Sequence, residues 1–126
     1  MMRNILIVED NKLVCDRLMH MLTAISGVAM LDPATSFASA KQALATVKAD
    51  WVILDIQLPD GNGIDLIPVI KAANPQATVV MLTNHAFSAH RKRSMDAGAD
   101  YFLDKSTEFC RLAEILDGGC TEQING

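Results

Sequence analysis

Three carboxylates stand directly after two strongly apolar runs of the chain. Glu9 and Asp10 follow the run at residues 4–8, and Asp55 follows the run at residues 51–54. If both runs are parallel strands of one sheet, their carboxyl ends meet at one rim, where ligands bind in open sheets. Carboxylates at one rim repel each other unless a cation lies between them, and Mg²⁺ prefers oxygen ligands of this type. The spacing therefore predicts a divalent-cation site.

A hydroxyl group and an amine follow two further apolar runs. Thr83 comes after residues 77–82, and Lys105 comes soon after residues 101–103. Attack of a carboxylate on a phosphoryl group requires cations that neutralise the equatorial oxygens of the transferred group. A metal ion, a lysine and a hydroxyl group beside a carboxylate meet that requirement. The combined pattern predicts phosphoryl transfer to a carboxylate.

The runs that carry these residues are continuous in hydrophobicity, which is typical of strands buried on both faces of a parallel sheet. A weaker run at residues 28–31 continues into 34–35 and contains Pro33. Because proline cannot donate to a ladder, this run is predicted to form an edge strand. Helical patterns separate the runs, and such alternation predicts a parallel sheet with right-handed crossovers.

Apolar residues recur at helical spacing in four stretches, and residues 87–97 have the length of a fifth helix. We expect Pro68 to delay the first regular turn of its helix and Gly98 to end the next one. Ser106 or Thr107 is predicted to cap the last helix, and Gly118 to end it. The four stripes are Val14, Leu18, Met21, Leu22 and Ile25; Ala40, Ala43, Leu44 and Val47; Ile64, Ile67 and Ile70; and Phe109, Leu112 and Leu116.

Length and charge restrict the class of protein. The chain has 126 residues, which predicts one domain, and its net charge is −4. An acidic domain is a poor candidate for direct binding to nucleic-acid phosphates. No apolar run approaches the roughly 20 residues of a membrane span. Cys15, Cys110 and Cys120 have no CxxC spacing, so we expect free thiols and a cytoplasmic location.

Several short motifs, in order, make the chain resemble the receiver domain of bacterial two-component response regulators over residues 3–118. The resemblance implies a flavodoxin-like, doubly wound α/β fold with a five-stranded parallel sheet, strand order 2-1-3-4-5, and helices on both faces. Residues 1–118 would form the receiver domain and residues 119–126 a flexible tail. The motifs are Ile5-Leu6-Ile7-Val8-Glu9-Asp10, Leu54-Asp55, Leu58-Pro59, Gly61-Asn62-Gly63, Met81-Leu82-Thr83, and Ala97-Gly98-Ala99-Asp100 with Lys105.

The resemblance assigns a role to each residue at the rim. Asp55 would accept a phosphoryl group from a histidine kinase or a histidine phosphotransfer protein. Mg²⁺ would be held by Asp10, Asp55 and the backbone carbonyl of Gln57, with Glu9 acting through a water molecule. Lys105 would pair with the phosphoryl group.

The resemblance also implies a phosphorylation-dependent signalling switch rather than an enzyme, although the domain would promote its own phosphorylation and dephosphorylation. Thr83 would hydrogen-bond the phosphoryl group, and Phe102 matches the aromatic switch position. Their movement would reshape the surface of the fourth helix, fifth strand and fifth helix. That surface would bind a downstream protein or a second copy of the chain.

The sequence departs from the common pattern of the family at three positions. Ser106 follows Lys105 where many relatives have a cis proline, and a trans peptide is expected here because a cis bond to serine is costly. Asn84 is larger than the residues usual after Thr83 and would crowd the phosphoryl site, and Phe102 lacks a hydroxyl group. His85 would lie near the mouth of the site and modulate access of water.

Four other functions bear comparison with the same residues. A hydrolase with an aspartyl nucleophile usually has a second acid two residues later, where this chain has Gln57. A flavin or nucleotide module needs a phosphate loop after the first strand, and Glu9-Asp10-Asn11 would repel a phosphate. A pseudo-receiver that acts only in docking stays open. So does a receiver fragment of a longer regulator with a separate DNA-binding or enzymatic output.

Overall fold

The computed structural model describes residues 2–84 and 88–117. Five parallel strands form one sheet in the order β2-β1-β3-β4-β5, which confirms the predicted strand order and the edge position of β2. The small shifts in strand bounds fall at the ends, where hydrophobicity alone defines no limit. The strands are β1 (Arg3–Val8), β2 (Val28–Met30), β3 (Trp51–Leu54), β4 (Thr78–Thr83) and β5 (Tyr101–Asp104).

Helices connect the strands and cover both faces of the sheet. Asn11 caps α1 by accepting hydrogen bonds from the N–H groups of Leu13 and Val14, and Ser36 caps α2 through the N–H of Ser39. A 3₁₀ turn, Gly63–Leu66, precedes α3, as the position of Pro68 led us to expect. The helices are α1 (Lys12–Thr23), α2 (Phe37–Thr46), α3 (Ile67–Ala73), α4 (Ser88–Ala97) and α5 (Arg111–Leu116).

Alternate residues of each strand feed two separate cores. Ile5 and Ile7 of β1 point to the side covered by α1 and α5, where Leu18 is buried. Leu6 and Val8 of β1 point to the opposite side, covered by α2 and α3. Burial of both faces explains why the strand sequences are continuously apolar. Because the strands are parallel, the carboxyl ends of β1, β3 and β5 lie at one rim.

A short hairpin between β3 and α3 was not predicted from the sequence. Gln57–Leu58 pairs antiparallel with Gly61–Asn62, so the chain folds back on itself directly after Asp55. Ala34 forms an isolated parallel bridge with Val8, which ties the segment before α2 to the end of β1.

The predicted cap of the last helix was wrong. Ser106 donates its hydroxyl hydrogen bond to Asp104, and α5 begins only at Arg111, after Cys110, whose side chain makes no capping bond. Gly98 has φ +117, as expected for a residue that ends a helix. The predictions for Phe87, His85, Gly118, Cys120 and the tail at residues 119–126 lie outside the described residues.

The amino ends of the strands carry an aromatic pair. The rings of Trp51 and Tyr101 stack with centroids 6.2 Å apart and planes 11° apart, and the guanidinium of Arg3 lies 6.0 Å from the Trp51 ring. The two described cysteines, Cys15 and Cys110, are free thiols. Over residues 2–84 and 88–117, no helix is both long and apolar enough to cross a membrane.

Candidate functional site

Three carboxylates meet at the carboxyl ends of β1 and β3, as the sequence predicted. One oxygen from each of Glu9, Asp10 and Asp55 lies within 4.8 Å of the others. Glu9 and Asp55 are buried, with 3% and 8% of their surface exposed, whereas Asp10 is exposed. The group therefore combines two carboxylates removed from water with one that water reaches.

Lys105, which follows the end of β5, bridges the two buried carboxylates. Its Nζ lies 2.5 Å from Oε1 of Glu9 and 2.9 Å from Oδ2 of Asp55, and 8% of its side chain is exposed. Its backbone N–H donates to the carbonyl of Thr83 over 3.0 Å. Lys105 therefore has a fixed position, and its charge offsets part of the negative charge at the rim.

Burial and charge act in opposite directions on the acid–base properties of this cluster. Burial raises the pKa of Glu9, although the hydrogen bonds from Lys105 and from the N–H of Asn11 partly offset it. Burial alone would lower the pKa of Lys105, but its bonds to Glu9 and Asp55 outweigh that effect and raise the pKa. Lys105 is therefore positively charged at neutral pH.

A cavity of about 480 Å³ opens beside the carboxylates, and oxygen-bearing groups dominate its lining. Its volume lies in the usual range of small-molecule sites. The residues that line it are Glu9, Asp10, Asn11, Asp55, Ile56, Gln57, Leu58, Pro59, Gly61, Asn62, Asn84 and Lys105.

The loop from Asp55 to Gly63 is held by close backbone packing. The N–H of Gly63 donates to the carbonyl of Ile56 over 2.6 Å. A Cβ atom on Gly63 would lie 1.9 Å from the carbonyl oxygen of Asp55, so a larger residue does not fit. The side chain of Asn62 accepts the N–H of Ile64 over 2.8 Å. These contacts fix exposed Gln57 on the wall of the cavity.

The donor set fits a hard divalent cation. Oδ1 of Asp55 is buried and has no hydrogen-bond partner within the described part of the chain, and an unpaired buried carboxylate oxygen is costly. A cation shared by Asp10 and Asp55 would relieve that cost, since oxygen atoms of carboxylates and carbonyls are the ligands that Mg²⁺ prefers.

The other predicted site residues divide between the cavity and the core. Exposed Asn84 lines the cavity, whereas Thr83 at the end of β4 is fully buried and is not part of the lining. Phe102 is buried on the α2 and α3 side of the sheet, and the guanidinium of Arg91 from α4 lies 5.4 Å from its ring centroid. The peptide bond between Lys105 and Ser106 is trans, as expected.

Two residues at the rim were missed by the sequence analysis. Asn11 lines the cavity and caps α1. The sequence contained a signal for this cap, because asparagine directly before a helical stripe is a preferred capping residue. Asp60 accepts hydrogen bonds from the start of α2. The turn-forming sequence Pro59-Asp60-Gly61 signals a reversal of the chain but does not indicate this distant partner.

Comparison with known proteins places this geometry in a family. The family model of the response regulator receiver domain matches residues 5–117. The transcriptional regulatory protein MalR of Bacillus subtilis is 32% identical over 115 residues, which cover 91% of this chain and 49% of MalR. The chain spans about half the length of the curated relatives it matches.

Solved structures share the fold. A CheY-like receiver domain protein from Methanospirillum hungatei has a TM-score of 0.85 and 24% identity, covering 99% of this chain and 98% of that one. A response regulator from Burkholderia pseudomallei, described with a phosphorylated aspartic acid, a calcium ion and citrate, has a TM-score of 0.83 and 24% identity. The match covers 98% of this chain and 71% of the Burkholderia pseudomallei chain. At these identities the similarity establishes the fold alone.

Proposed function

The chain belongs to the response regulator receiver domain family, and on this premise we propose that it is a phosphorylation-dependent switch in which Asp55 accepts the phosphoryl group. The observation that carries the proposal is the environment of the two Asp55 oxygens. Oδ2 is paired with Lys105, and buried Oδ1 has no partner within the described residues, beside a cavity large enough for a phosphoryl group. Asp10, by contrast, is exposed.

The transfer forms one bond and breaks another. An oxygen of the Asp55 carboxylate attacks phosphorus, and an acyl phosphate forms as the bond from phosphorus to the donor breaks. With a phosphohistidine donor, the electron pair of the broken P–N bond returns to the imidazole. Lys105 supplies positive charge beside the transferred oxygens, where its ion pairs with Glu9 and Asp55 place it before the transfer.

Asp10, Asp55 and the backbone carbonyl of Gln57 would hold Mg²⁺, with Glu9 acting through a water molecule. When bound, Mg²⁺ supplies the charge that neutralises the phosphoryl oxygens. The three clustered carboxylate oxygens and the position of Gln57 on the cavity wall support this assignment.

The response to phosphorylation would pass through Thr83 and Phe102. Thr83 would turn its hydroxyl group toward the phosphoryl group, and the Phe102 ring, which now packs beneath Arg91, would change its packing against α4. Asn84 and His85 would modulate access of the phosphoryl group and of water. We assign the resulting change to the surface formed by α4, β5 and α5.

The partners follow from this role. A histidine kinase or a histidine phosphotransfer protein would donate the phosphoryl group in the cytoplasm. A downstream protein or a second copy of the chain would bind the α4, β5 and α5 surface, and the acidic domain itself would not contact nucleic acid. MalR is a transcriptional regulatory protein, and its match to this chain covers 49% of its length, so a DNA-binding output would belong to a separate segment.

Mass spectrometry of the intact protein tests the proposal. After incubation with acetyl phosphate and Mg²⁺, we expect the wild type to gain one phosphoryl group. EDTA should prevent the gain, and so should Asp55→Asn, which removes the nucleophilic carboxylate. Asp65→Asn is the matched control because Asp65 is exposed and does not line the cavity.

Two outcomes would contradict the proposal. A phosphoryl group retained in Asp55→Asn would place the acceptor elsewhere. A folded wild type that binds Mg²⁺ but gains no mass would favour a domain that acts by docking alone.

A further inference from the structure

Asp60 joins the hairpin beside the cavity to a different element of the fold. Its Oδ1 accepts the N–H of Phe37 over 2.6 Å, and its Oδ2 accepts the N–H of Ala38 over 3.0 Å. These are the first two residues of α2. Both carboxylate oxygens are therefore used, and two bonds from one group fix the orientation of the hairpin as well as its distance.

The start of α2 is well suited to this contact. The first amides of a helix have no partner within the helix, and a negative charge near them is favourable. The Ser36 hydroxyl accepts the N–H of Ser39, so Asp60 satisfies the two amides that the cap does not reach. Gly61 packs directly on the same helix end, since a Cβ atom there would lie 3.0 Å from Cδ2 of Phe37.

The segment before α2 is tied in turn to the acidic end of β1. The N–H of Glu9 donates to the carbonyl of Ala34 over 3.0 Å, and the N–H of Ala34 donates to the carbonyl of Ile7 over 2.9 Å. Backbone hydrogen bonds therefore join Glu9 to Ala34, just before α2. The Asp60 carboxylate then joins the start of α2 to the hairpin that carries Gln57. Asp60 is the side-chain link in this ring around the cavity.

We infer that Asp60 is a positioning residue for the cavity: it holds the Gln57 wall of the hairpin at the distance from Glu9 and Asp10 that divalent-cation binding needs. The inference rests on the proposed function, because it concerns the same metal site. Asp60 does not line the cavity, so it would act through the hairpin rather than as a ligand. Its loss should weaken metal binding without preventing phosphoryl transfer, because Ile56 and Leu58 stay buried in the core and keep the loop folded.

Calorimetric titration with Mg²⁺ tests this role. We expect Asp60→Ala to raise the Kd for Mg²⁺ by about tenfold, the lower end of the effect of removing an outer-shell partner. Asp60→Asn keeps one acceptor oxygen, so we expect a smaller increase of about threefold. At saturating Mg²⁺, the phosphorylation rate of both variants should return to near the wild-type rate.

Ser36→Ala is the matched control, because it removes a hydrogen bond at the same helix end but leaves the link to the hairpin. We expect Ser36→Ala to lower the melting temperature and to leave the Kd unchanged. In Mg²⁺-free protein, the amides of Phe37 and Ala38 should exchange faster with solvent in Asp60→Ala, and the amide of Ser39 should do so in Ser36→Ala.

The inference is overturned if Asp60→Ala binds Mg²⁺ as the wild type does, or if Ser36→Ala raises the Kd equally. It is also overturned if the wild type does not bind Mg²⁺. The proposed function is tested separately, by the gain of phosphoryl mass in intact-protein mass spectrometry. A wild type that binds Mg²⁺ but gains no phosphoryl group would end the phosphoacceptor assignment, while the comparison of Kd values would still decide the role of Asp60.

Discussion

The two loops that bring charge to the cavity are held in different ways. The loop after β3 is fixed by backbone contacts and by Asp60, and none of these contacts uses the charge of Asp55. The loop after β5 has one backbone bond to the rim, from the N–H of Lys105 to Thr83. It is otherwise held by the two ion pairs of Lys105 and by local bonds among Asp104, Ser106 and Glu108.

Because their contacts differ, we expect the two loops to respond differently when the charge in the cavity changes. The β3 loop should keep its shape when the charge on Asp55 changes, because its contacts do not depend on that charge. The side-chain contacts of the β5 loop with Glu9 and Asp55 depend on charge, so a group that competes for the Lys105 ammonium should weaken them. The Asp55 side of the cavity is preorganised, and the Lys105 side is expected to respond.

The largest expected effect tests the rigidity of the β3 loop. In Gly63→Ala, the new methyl group would lie 1.9 Å from the carbonyl oxygen of Asp55, so the backbone must move. We expect urea unfolding to show a loss of about 3 kcal/mol, the upper part of the range for overpacking. Gly61→Ala is the control: its nearest atom is in the Phe37 side chain, which can shift, so the loss should be about 1 kcal/mol. Equal losses would mean that the loop is not specially constrained at Gly63.

An intermediate effect tests the dependence of the β5 side on charge. Lys105→Met removes the cation paired with two buried carboxylates, although Glu9 still accepts the N–H of Asn11. We expect a cost of about 2 kcal/mol, less than for a fully buried pair, because water from the adjoining cavity reaches the carboxylates. The measurement is urea unfolding in EDTA at several pH values. Removal of the lysine raises the pKa of Glu9 further. An acid whose pKa is raised by folding costs stability progressively as the pH rises from its unfolded value toward its folded value. The loss should therefore be larger at neutral pH and shrink as the pH falls toward 4.5.

Adding Glu9→Gln to Lys105→Met should restore part of the stability, because one unpaired charge is then absent. A loss that stays constant between neutral and acidic pH would show that the lysine acts through packing rather than charge.

The smallest effect concerns the local bonds of the β5 loop. Hydrogen bonds from the hydroxyl and the N–H of Ser106 hold the pKa of Asp104 below its usual value. A lowered carboxyl pKa gives stability that is present above the unfolded value and is lost as the pH falls through the folded value. In Ser106→Ala, NMR titration should show the Asp104 pKa moving back up, and the stability difference from wild type should vanish at low pH. Thr107→Ala removes a neighbouring hydroxyl and should leave that pKa unchanged.

The carboxylates and Lys105 could be predicted from the sequence because each follows a strand buried on both faces. A continuous apolar run allows few placements, and parallel strands bring their carboxyl ends to one rim. Glu9, Asp55 and Lys105 therefore meet as expected, although they are far apart in the chain.

The missed features depend on partners that no local pattern specifies. Asp60 bonds to amides 22 and 23 residues away in the chain, so its role follows from the tertiary fold. Ser106 has the right chemistry for a helix cap, but its hydroxyl group bonds to Asp104. The N–H of Asp104 in turn donates to Glu108. These bonds make a turn, and α5 starts later than the sequence predicted.

The stacked pair of Trp51 and Tyr101 provides a built-in optical probe. Trp51 is the sole tryptophan of the chain, and it begins the strand whose far end precedes Asp55. At about 3.3 Å per residue, roughly 13 Å separate the backbone of Trp51 from that of Asp55. Its emission therefore records separation of the sheet during unfolding, largely free of direct quenching by ions in the cavity. A change in emission on phosphorylation would instead measure how far a displacement at the rim travels along β3.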